Sequence, residues 1–359
     1  MRCELGTICS RLSSGKGIPS KLVKSEGKYP IYGGNGLRGY TDTYNFDGEC
    51  AVIGRQGAFC GNVRYFKGTA YMTEHAVVVC ADENNSTQYL AYLLATMQLG
   101  RLSGQSAQPG LSVKTLSKQM IDVPPLETQK KVASILRSFD DKIELNNKIN
   151  ENLEQQATAL FNNFYDQAET EISFTDVIQI LGGGTPKTGE SGYWGGKIPF
   201  FTPKDIGSPY TLNTEKTITE AGLARCNSRL YPINTVFVTA RGTVGKVGMA
   251  GVPMAMNQSC YALVGKGIHQ LLVYFYTLKV IDRLRHKASG AVFDAVTTKD
   301  FESEHIMRLP ESIEKVFLCA AEPMYQAILS NSIENQKLAG LRDALLPKLI
   351  SGEIDVSGI

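Results

Sequence analysis

Residues 126–164 read LETQKKVASILRSFDDKIELNNKINENLEQQATALFNNF, a stretch without one glycine or proline. Its apolar side chains keep a seven-residue beat. Val132, Phe139, Leu153 and Leu160 hold one seam position, and Ile135 and Ile149, flanked by Leu136 and Ile143, hold the other and its neighbour. A beat of seven sustained over about five heptads marks a helix that winds against a partner helix. At ~1.5 Å per residue, such a helix is roughly 58 Å long. Asn146 fills the polar place in the series. A buried Asn at a seam costs stability but selects register and orientation.

The partner helix lies 185 residues further on, where Met324, Asn331, Leu338 and Leu345 repeat the places of Phe139, Asn146, Leu153 and Leu160, and Ile328 that of Ile143. This predicts an antiparallel pair with Asn146 facing Asn331 near the crossing, and a higher melting temperature when both become Leu. Pro124 and Pro125 suit the start of the first helix, because a first turn needs no backbone donors. Pro323 puts the regular part of the second helix from about Met324 onward, and Pro347 should end or kink it.

Outward from the helices, the whole chain is doubled. Gln88, Leu90, Tyr92, Arg101 and Leu102 recur as Gln270, Leu272, Tyr274, Arg283 and Leu284. Gly61, Val63, Met72, Lys114 and Pro125 recur as Gly245, Val247, Met256, Lys299 and Pro310, about 184 residues apart with a drift of only a few. Periods of roughly 20–50 residues mean solenoids; this one means a duplicated domain. In each copy, short apolar runs read as strands: Cys50 to Ile53 and Ala76 to Cys80, then Val236 to Thr239 and Tyr261 to Val264. Thr87 to Leu102 and Leu271 to Leu284 read as helices, and Tyr32-Gly33-Gly34-Asn35-Gly36 as a turn. The expected class is α+β: two pseudo-symmetric α/β domains separated by two long antiparallel coiled-coil helices. The boundaries fall at 1–123, 124–168, 169–309 and 310–359.

Charge follows the same division. The net charge is +4 over 1–125, −3 over 126–170, +4 over 171–309 and −3 over 310–359. Mildly basic globular blocks meet a polyanion, while acidic helices avoid it and meet protein. The eight cysteines are scattered without a C-x-x-C pair, so they read as reduced core residues of a cytoplasmic protein with no zinc site. The opening Met1-Arg2-Cys3-Glu4-Leu5 carries no apolar run of a signal peptide, and no apolar window is long enough for a bilayer.

Catalytic constellations are missing. The four histidines share no metal-binding spacing. Gly182-Gly183-Gly184-Thr185-Pro186-Lys187-Thr188 lacks the order of a phosphate loop, and Pro186 removes an amide such a cradle would use, so it reads as a turn before a strand. Instead, each copy interleaves Arg, Lys, Asn and Gln with glycine and aromatics. The candidates are Arg55, Gln56, Asn62, Arg64 and Lys67 in the first copy, and Lys187, Lys204, Arg241, Lys246, Asn257 and Gln258 in the second. Arg and Lys read guanine edges, Asn and Gln read adenine edges, and Gly lets a backbone come close. The alternative reading is that Arg55 and Arg241 make structural hydrogen bonds beside glycine turns. The copies agree in glycine and apolar positions but differ at polar ones, as in Asn62 against Lys246 and Glu74 against Gln258.

At these residues the chain resembles the specificity (S) subunits of type I restriction–modification systems. Pro124-Pro125-Leu126-x-x-Gln129-Lys130-Lys131-Val132-Ala133 and Ala159-Leu160-Phe161 resemble the start and end of that family's central helix. Leu181 to Pro186, Trp194-Gly195-Gly196 and Arg241-Gly242-x-x-Gly245 resemble parts of a target recognition domain. Leu341-Arg342-Asp343-x-Leu345-Leu346-Pro347-Lys348-Leu349-Ile350-Ser351-Gly352-Glu353-Ile354 resembles the family C-terminus. The resemblance implies a non-catalytic subunit with two target recognition domains, each reading half of a bipartite, asymmetric double-stranded DNA sequence. It also implies helices that space the domains and dock two adenine-N6 methyltransferase subunits, with restriction subunits binding that core. S-adenosylmethionine, ATP and Mg²⁺ would then belong to the partners and no cofactor to this chain. One departure is Leu309-Pro310-Glu311-Ser312, which lacks the Pro-Pro-Leu and Gln of the first copy. Two other readings stay open: the same module in a methyltransferase-only or type II-like system, and a coiled-coil scaffold that binds no DNA.

Overall fold

Val77 and Val79 pack toward a helix while Val78 packs the opposite way, and this alternation of period two builds a two-faced sheet in the first half of the chain. The structure is a computed structural model describing residues 1–103, 110–207, 209–287 and 295–358. The chain divides into two units: residues 1–143 with 337–359, and residues 144–336. The division falls inside both long helices, so each unit holds a globular part together with a length of each helix.

The first unit contains β1 (Arg2–Glu4), β2 (Cys9–Ser14), β3 (Tyr29–Gly33), β4 (Gly36–Thr41), β5 (Phe46–Gly54), β6 (Val63–Met72), β7 (Ala76–Ala81), α1 (Thr87–Thr96), α2 (Val113–Ser117) and β8 (Met120–Asp122). Helix α3 (Leu126–Tyr165) begins here. The main sheet has the order β2-β7-β5-β6-β3-β4, with β3 parallel to β6 and its other neighbours antiparallel. On one face, Tyr89, Leu90, Leu93 and Leu94 of α1 cover Ala51, Ile53, Val77 and Val79. The other face packs Phe46, Cys50, Val52, Met72 and Val78. Burying each such aliphatic side chain is worth about 1.5–3 kcal/mol. The helix expected over Thr87 to Leu102 stops at Thr96, because Gln98 takes a left-handed conformation (φ 49°) and a single tight turn follows over Leu99–Leu102.

The second unit repeats the plan with β9 (Thr170–Ser173), α4 (Phe174–Val177), β10 (Ile178–Gly182), β11 (Trp194–Phe201), β12 (Tyr210–Thr211), β13 (Lys216–Ile218), α5 (Glu220–Ala224), β14 (Val236–Thr239), β15 (Val247–Ala250), β16 (Ala255–Met256), β17 (Cys260–Gly265), α6 (Gln270–Lys287), α7 (Thr298–Glu302) and β18 (His305–Arg308). Helix α8 (Glu311–Ser351) follows. Its sheets have the orders β10-β17-β14-β15-β12 and β13-β11-β16. The parallel pairing of Tyr32 with Met72 returns as Phe201 with Met256, and the β1–β8 pair returns as β9–β18. Where β6 runs unbroken, the second copy has β15 and β16 separated by Gly251 to Met254. The drift between copies is larger than a few residues: Met72 and Met256 stand 184 apart, but Tyr32 and Phe201 only 169. The extra residues lie between β11 and β14, where the second copy adds β12 and α5. The glycine run from Gly182 follows strand β10 rather than leading directly into a strand.

Helix α3 starts at Leu126 as expected. Buried Gln129 pins that start, accepting from Ser86 N at 2.9 Å and donating to Asn85 Oδ1 and Pro124 O at 2.9 Å each. At the corresponding place in α8 stands Glu314, buried and paired with Arg308 at 2.8 Å. Helix α8 differs from expectation. It begins at Glu311, runs through Pro323 and ends only at Ser351, beyond Pro347. An interior proline costs about 3 kcal/mol, but Phe317, Ala321, Tyr325 and Ile328 recur on one face and are all buried in the second unit's core. Several buried side chains outweigh one lost backbone bond. Past Pro347, Leu349 is buried in the core of the first unit and Ile350 packs against it.

Within each unit the two helices run antiparallel. In the first, Arg342 pairs with Asp140 at 2.5 Å and Ser357 O accepts from Lys131 at 2.9 Å. In the second, Phe317 meets Phe161 and Asn331 meets Asn150. Of the predicted seam, Val132 is fully buried, while Phe139, Leu153, Leu160, Met324, Leu338 and Leu345 are half-buried. Asn146 is buried, but its partner is not Asn331: it donates to Glu334 Oε2 at 2.7 Å and Asn335 Oδ1 at 2.8 Å. Asn331, half-buried, donates to Asn150 Oδ1 at 2.8 Å. The 185-residue equivalence aligns the copies in sequence, whereas antiparallel packing pairs residues whose numbers run in opposite directions.

Candidate nucleic-acid interface

In the second unit, four segments converge on an open cleft of about 450 Å³ lined by Lys204, Glu215, Lys216, Arg241, Thr243 and Asn257, among others. The loops are held before any ligand arrives. Asp205 accepts from Thr202 N at 2.8 Å, from Thr202 Oγ1 at 2.6 Å and from Glu215 N at 2.7 Å, tying two walls together. Thr239 Oγ1 accepts from Lys246 N at 2.9 Å and donates to Thr243 O, closing the β14–β15 loop that presents Arg241. Ala240 N donates to Ser259 O at 2.8 Å, and Asn257 N to Phe201 O at 2.9 Å, fixing the β16–β17 loop beside it. Gly245 adopts φ 74° in that closed loop, as its counterpart Gly61 adopts φ 86°, conformations that suit glycine.

Three cations against one carboxylate make the cleft net positive. Arg241 and Lys204 are exposed, with no side-chain partner among the described residues. Lys216 lies over the Trp194 ring at 5.7 Å. Of the predicted residues, Lys204, Arg241 and Asn257 are therefore brought together. Lys187, Lys246 and Gln258 are exposed but outside this lining, and Gln258 accepts a hydrogen bond from Thr185. Sequence reading missed Lys216 and Glu215, which carried no signal beyond an ordinary charged pair before a strand.

In the first unit, the corresponding β5–β6 and β6–β7 loops lie side by side. Arg55 N donates to His75 O at 2.9 Å and Gly54 N to Asn62 O at 2.9 Å. Gly15 passes over the β6–β7 loop so closely that a Cβ there would sit 2.2 Å from Met72 O. Gly183 makes the same approach to Asn257 O in the second unit. Arg55 is half-buried, without a side-chain partner among the described residues. Gln56 is exposed, and its Oε1 lies 3.0 Å from His75 Nδ1. Asn62 and Arg64 are exposed, and the Arg64 guanidinium rests against Gly36 in the β3–β4 turn. Lys67 does not join them. Odd and even strand positions face opposite ways, and Lys67 pairs instead with Glu49 at 2.8 Å.

Among the described residues, no group of three or more His, Cys, Asp or Glu side chains is placed to hold a metal ion, and no helix is long and apolar enough to cross a membrane. Two buried thiols are unreactive in character: burial pushes Cys50 and Cys260 up to about 12.

Comparison with known proteins bears on both units. The family described as "Type I restriction modification DNA specificity domain" matches twice, over residues 2–155 and 169–316. The MjaIX type I restriction enzyme specificity subunit of Methanocaldococcus jannaschii is 25% identical, over 96% of this chain and 91% of its own. The EcoprrI type I restriction enzyme specificity subunit of Escherichia coli is 46% identical over 112 residues, which span 31% of this chain and 28% of that one. In fold, the chain is similar to the crystal structure of a type I restriction–modification system S subunit from M. genitalium. The TM-score is 0.65 at 15% identity, covering 97% of this chain and 95% of the other.

Proposed function

The chain belongs to the type I restriction–modification DNA specificity family, and from that premise we propose that each of its units reads one half of a bipartite, asymmetric DNA target. The observation that carries this reading is the pair of equivalent loop clusters. One framework of glycine turns and backbone bonds presents Arg55, Gln56 and Asn62 in the first unit and Arg241 and Asn257 in the second; Arg64 joins from strand β6, and Lys204 and Lys216 from the segment between β11 and β14. Phosphate contacts from such cations position a protein on DNA, and side chains at base edges specify sequence. Two frameworks that agree while their polar tips differ suit two unequal half-sites.

The long helices in this reading set the gap between half-sites and dock two methyltransferase subunits, with restriction subunits joining that core. Their acidic balance, −3 over 126–170 and −3 over 310–359, suits protein contact over DNA contact. The chain itself performs no chemistry. S-adenosylmethionine, ATP and Mg²⁺ serve the partner subunits, where methyl transfer and cleavage take place.

Methylome sequencing with and without the gene tests the proposal. Loss of one bipartite adenine-methylation motif is the expected result, and an unchanged methylome overturns it. Titration of the assembly with its methyltransferases against duplex DNA adds a physical check. With ~6–10 phosphate contacts, affinity falls by ~10³–10⁵ between 50 and 200 mM salt; a protein-only scaffold binds no DNA at either.

A further inference from the structure

Gln56, His75 and Glu74 form a chain across the two loops of the first unit. His75 Nδ1 lies 3.0 Å from Gln56 Oε1, and His75 Nε2 lies 3.2 Å from Glu74 Oε1. The other Glu74 oxygen is covered and without a hydrogen-bond partner among the described residues, beside Gly17. The carboxylate is thus turned inward, toward the imidazole. The loops that carry the chain are locked to each other by the Arg55 N to His75 O bond, with Gly34 packed against His75 O.

We propose that Glu74 and His75 are positioning residues that restrict Gln56 to a single-donor contact with a base acceptor in the major groove. This rests on the DNA-reading function proposed above and deepens it. A free Gln reads adenine with both amide ends, accepting from N6 and donating to N7. Here both imidazole nitrogens face oxygens, Gln56 Oε1 on one side and Glu74 Oε1 on the other. With both nitrogens donating, the amide oxygen is held by His75 and the outward end is the NH2 group, a donor only. The acceptor that such a lone donor fits at either purine is N7, and that is the contact inferred here. The second unit has no such chain. Gly242 follows Arg241 where Gln56 follows Arg55, and Ser259 stands three residues after Met256 where His75 follows Met72. The device therefore belongs to one half-site.

The test is selection of bound duplexes from a randomised pool by the assembly with its methyltransferases, followed by affinity measurement on the selected site with 7-deazapurines placed singly. Wild type shows one position in one half-site where loss of N7 weakens binding, and Gln56→Ala abolishes that sensitivity. Immobilising a long side chain on binding costs about 0.5–1.5 kcal/mol. Releasing Gln56 by His75→Ala or Glu74→Ala therefore relaxes preference at that same position by roughly 2- to 12-fold, leaving other positions unchanged. Glu74→Gln keeps an oxygen acceptor for the imidazole and retains the preference. If His75→Ala instead weakens all sequences equally, its role is structural and the inference is overturned. If Gln56→Ala moves no base preference while the complex still selects sequence, the inference fails and the DNA-reading function stands. A pool that yields no selected sequence sinks both.

Discussion

Asn146→Leu removes the buried polar crossing of the helix pair, and the structure sets the sign of its effect against the sequence expectation. Heptad logic treats a seam Asn as a cost that Leu relieves. The side chain is 1% exposed, however, and donates at 2.7 Å to a carboxylate and at 2.8 Å to an amide. A hydrogen bond to a charged group is worth about 1.5–3 kcal/mol and a neutral one about 0.5–1.5. Leucine recovers at most about 2 kcal/mol through apolar burial. The two bonds sum to about 2–4.5 kcal/mol, so the net is a loss of up to about 2.5 kcal/mol, or up to about 10 °C for a unit of this size. Calorimetry on the full chain measures it, following the transition of residues 144–336. Asn146→Asp sharpens the test, because it sets a second carboxylate against Glu334 and melts lower still at neutral pH. A variant Asn146→Leu that melts at or above wild type refutes the described seam.

Other consequences are equally measurable. Exchanging residues 1–123 for those of a relative with a different target changes one half of the methylated motif; a change in both halves contradicts independent reading. Removing one heptad from each long helix shortens the gap between half-sites or abolishes assembly, and an unchanged gap with full activity undoes the spacing role. Burial raises the Glu314 carboxyl above its ordinary 4.5, with Arg308 opposing. Folding therefore favours the protonated form, and its contribution to stability rises as pH falls through the raised value toward 4.5. Glu314→Gln flattens that part of the stability–pH curve; an unaltered slope argues against a buried carboxylate. Iodoacetamide at pH 8 modifies exposed Cys319, while Cys50 and Cys260, with thiols near 12, stay unmodified until the chain unfolds.

What could be read without coordinates divides along physical lines. The first long helix was legible to within a residue at its end, because absence of glycine and proline and a steady apolar beat are local properties of residues 126–164. Strands β5, β7, β14 and β17 were legible because buried strands need runs of β-branched and apolar side chains. The start of α8 was hidden. Pro323 argues locally for a boundary, and only the cores meeting Phe317, Ala321 and Tyr325 show why it is overridden. The seam pairing of Asn146 was hidden for another reason: equivalence between copies is a statement about ancestry, and antiparallel neighbours are set by packing.

The candidate interface shows the same divide inside single residues. Arg241 and Lys204 could be named from type alone, but Lys216 joins them only through Asp205, whose carboxylate ties the Thr202 turn to Glu215 next door. Lys67 was named for its neighbours in sequence and lost to the pleat, which turns it away from Arg64. Gln56 was named from residue type alone, whereas the contact of its amide oxygen comes from His75, on a loop nineteen residues away. Framework residues are therefore readable from one chain, because glycine turns and apolar alternation leave local marks. Specificity is less so, because the end of a polar side chain that faces outward is decided by the partner that occupies its other end.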